Sequence, residues 1–528
     1  MANSKTPKAN IKKSSFIYPA AFILPALVMV ACGVIFKLEA IVPYIVLYAF
    51  LAAIPGFFLV SKKSGMAALV TSIIFIVSIM GYVTVDAMLY RSELINDKNL
   101  LGALSSALDK FPAFITQKDL DEVKVLILEG NYDPASGYPI EGFVLRLGYD
   151  ESLKYLKAED QSGYDGEMVE SYFKTASSEI DINDYSALAK FSNLEYVAIN
   201  QPNSYLYYYG ITPNYLTKFS DLSIFENTKS LKDFFIFKTA ATDFAPLSGL
   251  VSIENLSVQL CNVEDASVFG NLSNLKSLNL TAAGISDISF VSSLTGLAEL
   301  YLFGNEISDI GAMKNLENLT DLLLNSNEIE DISPLAGLPL LANLYLAENQ
   351  IEDISALSGL PLEKAYLNGN RIEDASPLFS VGSLTEMDIS ENALTNIEGI
   401  EKCASLETLS ISGNQITDLS PLSSLEGLSN LYADGNEIED LSPLESIIML
   451  TNLSLKNNQI SDISALSNLG NLSSVYLDEN QITDFSPLAS LEEREEMSTY
   501  VSGKDNQQIE HEDHDHDEDE QEIGDEPS

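Results

Sequence analysis

At 528 residues the chain is too long for one ordinary globular core, yet a stack of repeating coils escapes that limit because each coil packs only on its neighbours. Its formal charge is −48 at pH 7, unevenly spread: residues 1–85 hold seven lysines and one acid, Glu39, leaving 22 basic and 76 acidic side chains beyond them. Such a polyanion has no basic stripe for phosphate, which excludes nucleic acid as a partner and disfavours anionic lipid headgroups.

Residues 1–13 form a basic N-terminus carrying Lys5, Lys8, Lys12 and Lys13. Three uncharged stretches follow within residues 14–85: Ser14 to Phe36, Ile41 to Val60 and Ser64 to Val85. Each is about long enough to cross a hydrocarbon layer of roughly 30 Å as a helix, so three transmembrane helices are predicted. Lys62 and Lys63 fill the loop between the second and third stretches, which together with the basic start puts both segments in the cytoplasm. Everything after about Asp86 is then extracytoplasmic. Met29-Val30-Ala31-Cys32-Gly33 also loosely resembles a lipoprotein signal, although apolar residues resume at Val34 where a polar tether would be expected. Either arrangement leaves the repeats outside. The other cysteines, Cys261 and Cys403, are spaced for neither a metal site nor a disulfide framework.

Residues 86–130 are read as a linker and helical cap, residues 131–252 as irregular and degenerate repeats, and residues 253–496 as regular repeats. The regular unit is Leu297-x-x-Leu300-x-Leu302-x-x-Asn305-x-Ile307-x-Asp309-Ile310. Its asparagine recurs as Asn305, Asn327, Asn349, Asn370, Asn392, Asn414, Asn436, Asn458 and Asn480, every 22 residues with one 21-residue step. A fixed period of that size marks a solenoid. Alternating apolar residues predict a short strand, and the asparagine amide at the following turn is suited to backbone groups that would otherwise be buried unpaired. Ser333-Pro334, Ser376-Pro377, Ser420-Pro421, Ser442-Pro443 and Ser486-Pro487 predict short helical or 3₁₀ turns on the opposite side, with the serine hydroxyl as cap and proline at the first helical position. Counting back, Ala283 and Cys261 occupy the asparagine slot, and Leu231-x-x-Phe234-x-Ile236 starts an earlier coil with Thr239 in that slot.

The units Asn-x-Ile-x-Asp-Ile-Ser-Pro-Leu resemble the 22-residue leucine-rich repeats of bacterial internalins, and Leu101 to Leu128 is similar to the cap and first strand that open such arrays. The resemblance implies an α/β leucine-rich repeat solenoid, with a parallel concave sheet and short convex segments, that binds another protein. Two features depart from secreted internalins: membrane helices precede the repeats, and an acidic tail follows them.

Four residues before the asparagine slot, consecutive coils carry Tyr301, Leu323, Tyr345 and Tyr366, with Phe303 two residues beyond Tyr301. At about 4.8 Å per strand they should form an apolar, mostly aromatic stripe of roughly 15 Å on the concave sheet, among polar neighbours such as Glu299, Asp321, Asn325, Asn343 and Glu348. That composition suits a protein-binding hot spot, and it also suits tyrosines that merely stack across strands. Tyr432 and Tyr476 continue the column intermittently, and Tyr205, Tyr207, Tyr208 and Tyr209 mark either a projecting loop or a degenerate coil.

Residues 497–528 form an acidic tail with too little apolar surface to fold. His511, His514 and His516 lie in it with interleaved carboxylates, a weak candidate for zinc or another divalent cation; no other cofactor is implied. No phosphate loop, nucleophile elbow or metalloprotease helix is present, so catalysis is not expected. The leading expectation is a multi-pass bacterial cell-membrane protein whose outward repeats bind a protein partner on the concave face. The alternative is an envelope sensor or accessory subunit with the repeats as its input or assembly domain. Nothing in the sequence fixes an oligomeric state.

Overall fold

The computed structural model describes residues 94–132, 139–156, 173–178, 181–200, 218–489 and 500–502. The three predicted membrane helices, the tyrosines at 205 and 207–209, and the tail histidines lie outside these residues. Among the described residues no helix is long and apolar enough to cross a membrane.

The described chain opens with helix α1 (Lys98–Leu108) and short helix α2 (Gln117–Asp121). Strands β1 (Val125–Tyr132) and β2 (Pro139–Gly148) follow, then helix α3 (Asp150–Leu156) and strand β3 (Lys174–Ser178). The coils contribute β4 (Tyr196–Ile199), β5 (Asp233–Phe237), β6 (Asn255–Gln259), β7 (Ser277–Asn279), β8 (Glu299–Tyr301), β9 (Asp321–Leu323), β10 (Asn343–Tyr345), β11 (Lys364–Tyr366) and β12 (Glu386–Asp388). They continue as β13 (Thr408–Ser410), β14 (Asn430–Tyr432), β15 (Asn452–Ser454), β16 (Ser474–Tyr476) and β17 (Tyr500–Val501).

From β4 onward each strand pairs in parallel with the next, and β1 joins this run by pairing in parallel with β4. Beyond β1 the sheet continues with antiparallel β2 and β3. Part of the stretch that looked irregular therefore extends the sheet by two strands. Its alternation Phe143-x-Leu145-x-Leu147 was the signal: these side chains are completely buried in the main core, and α1 packs against both strands.

One continuous core runs the length of the solenoid, because each coil buries the leucines flanking its strand and the isoleucines and leucine of its convex turn. Coil 297–319 buries Leu297, Leu300, Leu302, Ile307, Ile310 and Met313 at 1% exposure or less. Earlier coils use larger rings: Phe225 meets Phe234 at 5.5 Å, and Phe269 lies 5.7 Å from Phe244 and 6.1 Å from Phe290.

The convex segments are mostly 3₁₀ turns, for example Ser333–Gly337 and Ser442–Ser446. Their capping corrects the expectation from sequence. Serine is the first helical residue rather than the cap, proline is the second, and the residue at the cap position, such as Ile332, offers no side-chain bond. The cap is the aspartate two residues before the serine. Asp331 accepts the Ser333 N–H at 2.8 Å, and Asp353, Asp374, Asp418, Asp440, Asp462 and Asp484 repeat the bond. A carboxylate accepts two residues ahead more readily than a hydroxyl can from within the turn, which is the usual Asx geometry.

Candidate binding face

The asparagine ladder comes first, because it holds the strands in register. Asn327 Nδ2 donates to the Leu302 carbonyl of the preceding coil at 3.0 Å and to Leu324 of its own coil at 2.9 Å, while Oδ1 accepts from Ile307 N–H of the preceding coil at 3.1 Å. The remaining slot asparagines, from Asn305 and Asn349 through Asn370, Asn392, Asn414, Asn436 and Asn458 to Asn480, repeat this pattern onto the preceding coil. Where the slot holds Cys261, the thiol donates weakly to Gln259 O at 3.4 Å, and burial pushes its pKa up. Burial also pushes the Cys403 thiol up to about 11, so both behave as apolar filler rather than nucleophiles. The residue before the slot adopts positive φ in coil after coil: Gly304, Ser326, Glu348, Gly369, Glu391, Gly413, Gly435, Asn457 and Glu479.

This register places Tyr301 opposite Leu323, Leu323 opposite Tyr345, and Tyr345 opposite Tyr366 on four adjacent strands. The column runs on through Asp388, Ser410, Tyr432, Ser454 and Tyr476. Tyr301, Leu323, Tyr345 and Tyr366 are partly exposed, between strand residues that are buried on the other face, and Phe303 beside them is 40% exposed. The Tyr345 and Tyr366 rings are stacked, with centroids 4.9 Å apart and planes 9° from parallel.

Carboxylates border the stripe. Tyr301 is hydrogen-bonded to Glu299, and its phenol pKa is pushed up by burial first and then by the charges of Glu299 and Asp321. Tyr366 donates its hydroxyl to Glu386, which also pairs with Lys364 at 2.7 Å. Burial and that bond raise the Tyr366 phenol, whereas the Lys364 ammonium and the Tyr366 hydroxyl hold the Glu386 carboxyl below its ordinary range. Asp321 accepts from Asn343 at 2.8 Å, and Asp388 accepts from the Ser390 N–H at 3.0 Å.

Towards the N-terminal end the same face is covered. Val125 and Ile127 of β1 with Tyr196 and Ala198 of β4 pack against Leu153 and Leu156 of α3 and against Phe173, and Tyr196 meets Phe235 at 5.2 Å. Sequence reasoning missed this small second core. Among the described residues the column leads past β5 through buried Ser257 and then Asn279 to Tyr301. Among the described residues no group of histidine, cysteine, aspartate and glutamate side chains is arranged to hold a metal ion.

A parallel sheet, 3₁₀ turns and an asparagine ladder at a 22-residue period define a leucine-rich-repeat solenoid. The family described as Leucine Rich repeats (2 copies) matches residues 317–359, 382–424, 404–446 and 448–490. Among solved structures the chain is similar to an internalin (inlF) of Listeria monocytogenes, at 26% identity over 72% of this chain and 96% of the other, with a TM-score of 0.57. An internalin C2 of the same organism is 34% identical over 39% of this chain and 82% of its own, with a TM-score of 0.32. A leucine-rich-repeat protein of Leptospira interrogans is 19% identical over 56% of this chain and 87% of the other, with a TM-score of 0.46. No curated protein matches the sequence. The chain is an internalin-like leucine-rich-repeat protein.

Proposed function

We propose that this is a membrane-anchored bacterial surface protein whose leucine-rich-repeat array binds a protein partner through Tyr301, Phe303, Leu323, Tyr345 and Tyr366. The observation that carries the reading is the in-register stripe of three tyrosines and a leucine, partly exposed on one face of the parallel sheet. Aromatic side chains lose little rotamer freedom on binding and bury large areas, which is why they dominate the centres of protein interfaces. A protein partner also accords with the leucine-rich-repeat class. Anchoring rests on the three apolar stretches within residues 14–85, and outward orientation rests on Lys5, Lys8, Lys12, Lys13, Lys62 and Lys63.

The test uses the full chain in its own membrane, with a photo-crosslinking residue replacing Phe303. A defined crosslinked protein, lost when Tyr345 and Tyr366 are both changed to serine, is the expected result. A crosslink indifferent to those changes would overturn the site, and resistance of the repeats to protease on intact cells would overturn the orientation.

A further inference from the structure

We infer that the concave stripe receives a positively charged, extended segment of its protein partner, one whose basic side chains seat at the two ends of the stripe with apolar residues between them. This rests on the reading of the stripe as the binding face. At the first end Glu299 and Asp321 flank Tyr301; at the other, Asp388 follows Tyr366 in the column. Among the described residues neither Glu299, Asp321 nor Asp388 is ion-paired with a lysine or arginine. Lys364, the basic residue within the stripe, is already engaged by Glu386.

The same column shows how a cation sits on it. Lys456 of β15's coil places its ammonium 4.7 Å from the centre of the Tyr476 ring, supported by the sheet beneath. Tyr366 offers a comparable place: Tyr345 stacks on one face of its ring, and in the other direction the next residue of the column is Asp388. A ring face beside a carboxylate attracts a lysine or arginine by quadrupole and charge together. An acidic or neutral partner segment would have to desolvate Glu299, Asp321 and Asp388 without return, so the charges select as well as attract.

Geometry adds a spacing. From β8 to β12 there are four strand intervals of about 4.8 Å, and an extended chain advances about 3.3 Å per residue, so basic residues roughly six positions apart would reach both ends. Leu323 and the Tyr345–Tyr366 pair then face the apolar residues between.

The experiment selects a random dodecapeptide display library on the detergent-solubilised full chain, in parallel with Glu299→Gln/Asp388→Asn and Tyr345→Ser/Tyr366→Ser variants. The expected result is a pool enriched in lysine and arginine at about that spacing, whose peptides bind the Glu299→Gln/Asp388→Asn variant, which keeps only Asp321 of the three carboxylates, about threefold to tenfold more weakly and do not bind the tyrosine variant. A Glu299→Lys/Asp388→Lys variant should shift the selected pool towards acidic peptides, which also shows that the surface still folds. A pool that needs the tyrosines but carries no basic bias overturns the charge inference and leaves the stripe standing. A pool indifferent to the tyrosines, or no enrichment at all, overturns both.

Discussion

Tyr345 and Tyr366 lie with their rings 4.9 Å apart and 9° from parallel, the separation that adjacent strands themselves impose. The pair is therefore a property of register, and register is held by the ladder of asparagines at the strand ends. Tyr366 is further fixed through its hydroxyl to Glu386, and Glu386 through Lys364. The two partly exposed rings are thus held in a set orientation by the sheet itself.

The phenols should be slow to ionise. Burial and neighbouring carboxylates raise Tyr301 and Tyr366 above the ordinary tyrosine value, and Tyr185 is pushed up to about 12 chiefly by burial. Because folding raises these pKa values, the stability they contribute is present below about pH 10 and is lost as pH climbs through the folded values. Absorbance titration should show a delayed fraction of tyrosinate, reduced in a Tyr301→Phe/Tyr366→Phe variant. If that variant titrates like the parent chain, the assignment is wrong.

Asn349→Ala should destabilise the array by about 1–3 kcal/mol, chiefly because it leaves the buried Ile329 N–H without its acceptor, while the Leu324 and Leu346 carbonyls each lose one donor and keep Asn327 and Asn370. Repeat arrays couple mainly between neighbours, so amide exchange should rise first in the coils around residues 324–351. A uniform rise along the whole array would contradict a local role.

Asp97 is 7% exposed and accepts backbone N–H groups from Asn99 and Leu100 at the start of α1 and from Asn183 and Asp184 across the chain. Asp97→Ala should cost about 3 kcal/mol by chemical denaturation, more than a cap alone, because four donors lose one acceptor. A cost under about 1 kcal/mol would mean that water replaces the carboxylate.

The convex aspartates predict the acid limb. Asp331 and Asp353 are held below the ordinary aspartate value by the N–H of Ser333 and Ser355 first. Folding lowers these pKa values, so their contribution is present above about pH 4 and is lost as pH falls through the folded values. Asparagine can hold the same place: Asn396 accepts the Glu398 N–H at 3.2 Å. Asp331→Asn/Asp353→Asn should therefore match the parent chain near pH 7 and resist acid better, as followed by circular dichroism from pH 7 to 2.

The period and the leucine alternation made the coils, their register and the tyrosine column legible in advance, because all three follow from residues a fixed distance apart. What escaped was of two kinds. The serine-proline pairs suggested a hydroxyl cap, but capping is decided by which acceptor sits two residues ahead of the turn, and Asp331 in the same motif has the better reach. The other kind was long-range. Leu153 and Phe173 cover Val125 and Tyr196 only because β2 folds back beside β1 and β3 beside β2; the alternation in β2 announces a strand but not which strand it pairs with.

Every slot asparagine reaches backwards, donating to and accepting from the coil made before it. A chain delivered N-terminus first would thus carry, in each newly arriving coil from that of Asn305 onward, the clamp for the one already laid down. Assembly can proceed in the order of synthesis like a ratchet, and only the last coil at any moment lacks its fastening.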